Sequence, residues 1–327
     1  MLVVGLFVIA GVFWERGLRK YAQTAREEGA SGGPVRVFDR EHPNGFDVSN
    51  SLVPREEIRA GGPPRDGIPA IDHPKFIGTE KADFLKADDI VISVTHGTET
   101  RAYPLRVLVW HEIVNDQIAD LAFAVTYCPL CGTAMVFNRV LNGQRLSFGV
   151  SGLLYQSDVL MYDRETESLW SQLAMKCVAG KQVNAPLEWL ASEHLTWTAW
   201  KFRFPQGRVL STETGHRRDY SRMPYEGYEE SPSTLFPVPA HRKELDNKAW
   251  VLGTVVAGQP KAYPIEQLQH KKSIADEIGG TKIEVSYDPA NRSPNVMNVA
   301  DRKALPCVLV YWFAWQAFYP HTALWRQ

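Results

Sequence analysis

Hydrophobic and polar positions along the chain fall into short runs, and the runs set the first expectations. Residues 90–94 are apolar and largely β-branched, which predicts a strand leading through a turn at Gly97 into a second short strand ending at Tyr103. Pro104 then stands where the first turn of a helix tolerates proline, and Leu105, Leu108 and Val109 carry the spacing of a short apolar helical face. Residues 121–127 and 133–137 are rich in strand formers, and Asn142-Gly143 between apolar runs is a strong hairpin signal. The pattern predicts an α+β fold of mainly antiparallel strands with short helices.

The pattern occurs twice. Ala102-Tyr103-Pro104-Leu105 returns as Ala262-Tyr263-Pro264-Ile265, and Tyr127-Cys128-Pro129 as Tyr287-Asp288-Pro289, both 160 residues on, with Asp116 and Asp276 in the same register. Trp197 and Trp200 return as Trp312 and Trp315 only 115 residues on, so the second copy is 45 residues shorter between these landmarks. The i, i+3 spacing puts both rings on one helical face, as packing of each repeat requires. Residues 75–210 are therefore read as repeat one, and 248–327 as a shortened repeat two. Residues 211–247 form a polar, Tyr- and Pro-rich connection, long enough to cover something.

Residues 2–14 hold no charged or strongly polar side chain. As a helix they reach about 20 Å against a hydrocarbon core of about 30 Å. Residues 1–28 are expected to form a membrane-associated apolar helix, with residues 1–26 as the contact, followed by an irregular approach over 29–74. Arg16, Arg19, Lys20 and Arg26 follow the run, which by charge alone puts the body on the cytoplasmic side.

Composition narrows the function classes. Lys and Arg number 36 against 37 Asp and Glu, a net charge of −1 that gives no general attraction for nucleic acid. Four cysteines are too few for a disulfide scaffold, and only Cys128 and Cys131 are close in sequence. A duplicated fold needs its core twice and its chemistry once, so function is expected where the copies differ. Copy two reads Asp288-Pro-Ala-Asn291 in place of Cys128-Pro-Leu-Cys131, and Lys271-Lys272 in place of His111-Glu112.

The cysteine pair has three readings: a redox or covalent thiol site, a soft-metal site for Cu or Zn, and a structural pair beside a strand end. His111 is the expected acid/base or third ligand, with Cys177 another candidate, while Cys307 reads as a buried strand residue. Asn115 stands where a His-Glu-x-x-His site needs its second histidine, which excludes that metalloprotease pattern. Ser151 misses the Gly-x-Ser-x-Gly elbow by one position. The polar segment around it supplies an expected pocket wall of Ser151, Tyr155, Ser157, Asp158, Trp170 and Gln172. A non-catalytic accessory subunit of a membrane complex is the further alternative.

Long motifs carry a resemblance. Residues 101–104, 111–116, 125–132, 148–155, 161–164 and 167–172, continuing through Arg218-Asp-Tyr220 and Trp312-Phe-Ala-Trp315, resemble family 3179 of the domains of unknown function. The resemblance runs over about residues 68–322 and implies no established activity. Members of that family often look exported or membrane-anchored, so it implies an extracytoplasmic body, against the charge count after the first helix. Residues 173–185 depart from the family pattern by lacking a Gly-rich run.

Overall fold

The computed structural model describes residues 42–239 and 241–326. Of these, 41% lie in strands and 12% in helical turns, and the strands build five main sheets in a propeller-like arrangement. This corrects the α+β expectation. The apolar spacings read as helical are helices, but short ones: α1 (Leu105–His111), α2 (Trp197–Arg203), α3 (Ile265–Leu268) and α4 (Trp312–Phe318). Helices of one or two turns bury too little surface to make a layer, and each directly follows a strand whose end it closes.

The first sheet orders Glu193–Thr196, Ile90–His96, Glu99–Pro104, Arg208–Leu210 and Phe76–Gly78. The second orders Trp189–Leu190, Thr133–Asn138, Leu121–Cys128 and Ile113–Ile118. The fourth and fifth repeat them strand for strand. Cys307–Tyr311, Trp250–Val256, Gln259–Pro264 and Ala323–Leu324 match the first four strands of sheet one, including the parallel pairing of the last two. Ala304–Leu305, Ser293–Asn298, Thr281–Asp288 and Ile274–Ile278 match sheet two. The third sheet, Ile58–Ala60, Phe148–Tyr155, Asp158–Asp163, Leu169–Ser171 and Lys176–Ala179, has no counterpart and accounts for the length difference between the copies. Asn142 and Gly143 both take positive φ (50° and 80°) in the tight hairpin that their sequence predicts.

Equivalent residues bridge the halves reciprocally. The Tyr311 N–H donates to the Cys131 carbonyl at 3.0 Å, and the Thr196 N–H donates to the Asn291 carbonyl at 3.1 Å. Each half thus docks one turn on the strand–helix junction of the other. Within each half a carboxylate is held alike: the buried Asp116 by the Tyr103 hydroxyl (2.5 Å) and Arg101 (2.7 Å), the half-buried Asp276 by the Tyr263 hydroxyl (2.8 Å) and Lys261 (2.6 Å). Asp116 and Asp276, which share a register in the sequence, are thus the matching acceptors of the two triads. Trp200 and Trp315 are buried by complementary swaps. Trp200 donates to Ser93 and lies against Gly207, whereas Trp315 donates to Thr322 and lies against Gly253. In each case a glycine on one side leaves the room that the indole fills.

The segment 1–28, expected to be a membrane-associated helix, lies outside the described residues. Among the described residues no helix is long and apolar enough to cross a membrane, so the expectation of a membrane helix gains no support.

Candidate functional site

Cys128 ends the strand Leu121–Cys128, and Cys131 lies in the turn before Thr133–Asn138. The turn is held tightly: Gly132 is left-handed (φ 69°), and a Cβ there would lie 2.4 Å from the Trp250 ring. That close approach requires glycine. Both cysteines belong to the largest apolar cluster among the described residues, with Trp170 of the third sheet, Tyr311 of the fourth and Trp312 and Trp315 of α4. The site therefore sits where three sheets converge.

The third sheet completes it. Its hairpin turn brings the Ser157 carbonyl to 3.3 Å from Cys131 Sγ and 3.9 Å from Cys128 Sγ, with Ser157 itself left-handed at φ 67°. The next residue, Asp158, places a carboxylate oxygen with the two sulfurs, the three atoms lying within 4.8 Å of one another. Asp158 Oδ2 accepts the Leu173 N–H at 3.0 Å, while Oδ1 is buried with no hydrogen-bond partner, as is Ser157 Oγ. Orphaned buried oxygens are uncommon, and this one belongs to the same carboxylate as the two thiols' neighbour.

Four acidic groups share this space. Burial pushes the Cys128 thiol up and Cys131 further, Asp158 up to about 7, and Glu112 up to about 8 with the Asp158 charge adding to it. The carboxylates act on the thiols in the same direction, since like charges oppose ionisation. A cation at the centre reverses that balance, as it does for any cluster of anionic ligands.

His111 and Glu112 go separate ways where α1 ends. Glu112 is left-handed (φ 57°, ψ −30°), 8% exposed, and lines a cavity against the cluster. His111 uses both ring nitrogens elsewhere, on the Pro69 carbonyl and the Tyr220 hydroxyl, each at 2.7 Å. The structure thus brings Glu112 to the cysteines and spends His111 on the chain around Pro69 and Tyr220. The reversal of charge from Glu112 to Lys272 between the copies was the available sign.

The other expected wall residues divide. Ser157 and Asp158 join the cysteines. Ser151 Oγ bonds the Leu160 carbonyl and accepts the Leu153 N–H, bracing a bulge of the third sheet. Trp170 donates to Asp163 at 2.8 Å, and Gln172 ties Thr126 to Thr133 behind the cysteine turn. Tyr155 packs edge-on against Phe318 at 5.5 Å. Cys177 and Cys307 are buried in the third and fourth sheets, where Cys177 Sγ bonds the Ala179 carbonyl.

The connecting segment does cover this region. The Tyr228 hydroxyl donates to the Leu130 carbonyl at 3.1 Å, between the two cysteines, and Tyr225, Leu235 and Phe236 line the cavity beside Glu112. Lys248 Nζ lies 3.2 Å from the centre of the Tyr228 ring, close enough for a cation–π contact.

A family model described as protein of unknown function, DUF3179, matches residues 65–305. The chain belongs to that family. The DUF3179 match includes the cysteine turn, most of the third sheet and the Asp288 turn of the other half. No curated protein and no solved structure matches the chain.

Proposed function

We propose that this DUF3179 protein binds a single metal ion of zinc-like chemistry through Cys128, Cys131 and Asp158. The observation that carries the reading is the convergence of two sulfurs and an Asp158 carboxylate oxygen within 4.8 Å in a buried site, on a carboxylate whose Oδ1 has no hydrogen-bond partner. Sulfur–metal bonds of about 2.3 Å and oxygen–metal bonds of about 2.0–2.2 Å need ligand separations of this order around a tetrahedral ion. Two soft sulfurs with one hard oxygen suit borderline Zn better than Cu(I), which favours sulfur alone. Three protein ligands also leave one tetrahedral position over, the arrangement of zinc sites that act on a bound molecule.

The thiol-redox reading meets an obstacle of access. Reactive thiols are partly exposed and electropositive, whereas Cys128 and Cys131 are 1% and 0% exposed beside two carboxylates. Cobalt substitution tests the proposal. Protein refilled with Co²⁺ is expected to show sulfur-to-metal charge-transfer absorption that Cys128→Ser weakens and Asp158→Asn shifts. A spectrum of solvated cobalt, with both thiols open to alkylation after unfolding, would overturn it.

A further inference from the structure

The cavity beside the cluster has a volume of about 140 Å³. Its wall touches each element that carries the cluster: Leu130 lies between the cysteines, Val159 follows Asp158, and Glu112 is the one acidic residue that lines it. The remainder is mainly apolar, with Val150 from the third sheet and Leu235 and Phe236 from the connecting segment. A charged or polar group 92% buried in such a wall is costly unless something meets it, and Glu112 shows no side-chain hydrogen bond within the chain among those described. The backbone adds a second sign. Glu112 is held in a left-handed conformation that non-glycine residues adopt sparingly, and such strain persists where the surrounding fold enforces it. The other half has Lys272 at this position and no third sheet to build the wall, so the cavity belongs to the cysteine-bearing half alone.

We propose that this cavity binds a small, mainly apolar molecule carrying one hydrogen-bond donor, which Glu112 receives. The inference stands on the cavity and on Glu112, and goes beyond the metal reading. Size fixes the class: an apolar cavity of about 150 Å³ takes benzene, so the ligand is of roughly that bulk. The apolar wall supplies affinity, and the single carboxyl selects for a donor.

Phenol and benzene, which differ by one hydroxyl, are the probes, titrated by calorimetry into protein of known zinc content. Wild-type protein is expected to bind phenol about tenfold more tightly than benzene, the worth of one hydrogen bond to a charged or polar acceptor. Glu112→Leu is expected to lose that preference while keeping benzene. Leu235→Trp, and Phe236→Trp as a second filling variant on the covering segment, are expected to weaken both probes at least about tenfold by occupying the space. No saturable binding, an undiminished preference in Glu112→Leu, or full phenol binding in both tryptophan variants that retain the wild-type unfolding temperature would overturn the proposal. Phenol binding by protein that takes up no zinc on addition would overturn the metal reading alone, and zinc without phenol binding the pocket alone.

Discussion

The turns at residues 128–132 and 288–292 do the same backbone work in the two halves: each hands a carbonyl to the other half's strand–helix junction. Their side chains differ in what they leave over. Asp288 closes its own turn, accepting the Ala290 N–H at 3.0 Å and the Asn291 side-chain amide at 2.7 Å. Cys128 and Cys131 aim both sulfurs at the Ser157 carbonyl in the turn of the third sheet. What separates the two turns is the added sheet, which brings Asp158 and Ser157 to the cysteines and has no equivalent in the other half.

The largest effect expected from breaking this contrast is at Asp158. Replacement by alanine removes one of three ligands, and competition against a chromophoric chelator should show zinc affinity falling by at least about 100-fold, the upper range seen when mere second-sphere partners are lost. An unchanged affinity would show that the carboxylate is no ligand.

A second contrast is between His194 and Leu309, which occupy the same register in sheets one and four. Burial pushes His194 down to about 4 from 6.5, and its Nε2 has no partner. Below pH 6.5 the unfolded chain therefore takes up a proton that the folded chain refuses, so stability is fully present above 6.5 and declines as pH falls toward 4. The slope assigned to this residue is up to about 1.4 kcal/mol per pH unit. His194→Leu, which copies the other half, should flatten the dependence of chemical unfolding on pH between these values. An identical pH dependence in the variant contradicts the assignment.

Third, Tyr103→Phe and Tyr263→Phe remove the same hydroxyl from the two carboxylate triads. Asp116 is the more enclosed carboxylate, with side-chain exposure of 7% against 16% for Asp276. Loss of a hydrogen bond to a charged group costs about 1.5–3 kcal/mol, and Tyr103→Phe should fall at the upper end and Tyr263→Phe at or below the lower. Equal losses in denaturant titrations would mean that enclosure does not distinguish the halves. The smallest effect is expected from grafting: Asp288→Cys with Asn291→Cys should add no bound zinc, because no carboxylate from a third sheet faces that turn. A second ion per chain would show that two cysteines suffice.

Much of this was legible in the sequence at the level of pattern. The 160-residue offset marks matched landmarks, and the residues missing from the shorter copy fall where the third sheet lies. Asn142-Gly143 specified its turn from local backbone preference alone. The fold class was not legible, because apolar spacing such as that of Leu105, Leu108 and Val109 reports a helical face without reporting that the helix stops after seven residues. At the site, the Cys-x-x-Cys spacing singled out the turn, and Asp158 stood among many polar neighbours. Which of His111 and Glu112 faces the thiols depends on one left-handed residue at the end of α1, a conformation that no side-chain pattern announces. The convergence of Asp158 on a turn from another sheet is a tertiary fact.

The most direct test of the central claim is elemental analysis of protein purified without chelator, beside the Cys128→Ser/Cys131→Ser variant. One equivalent of zinc per wild-type chain and none in the folded variant is the predicted result. Metal-free wild-type protein that takes up no zinc on addition, or a variant that retains the full equivalent, would contradict it.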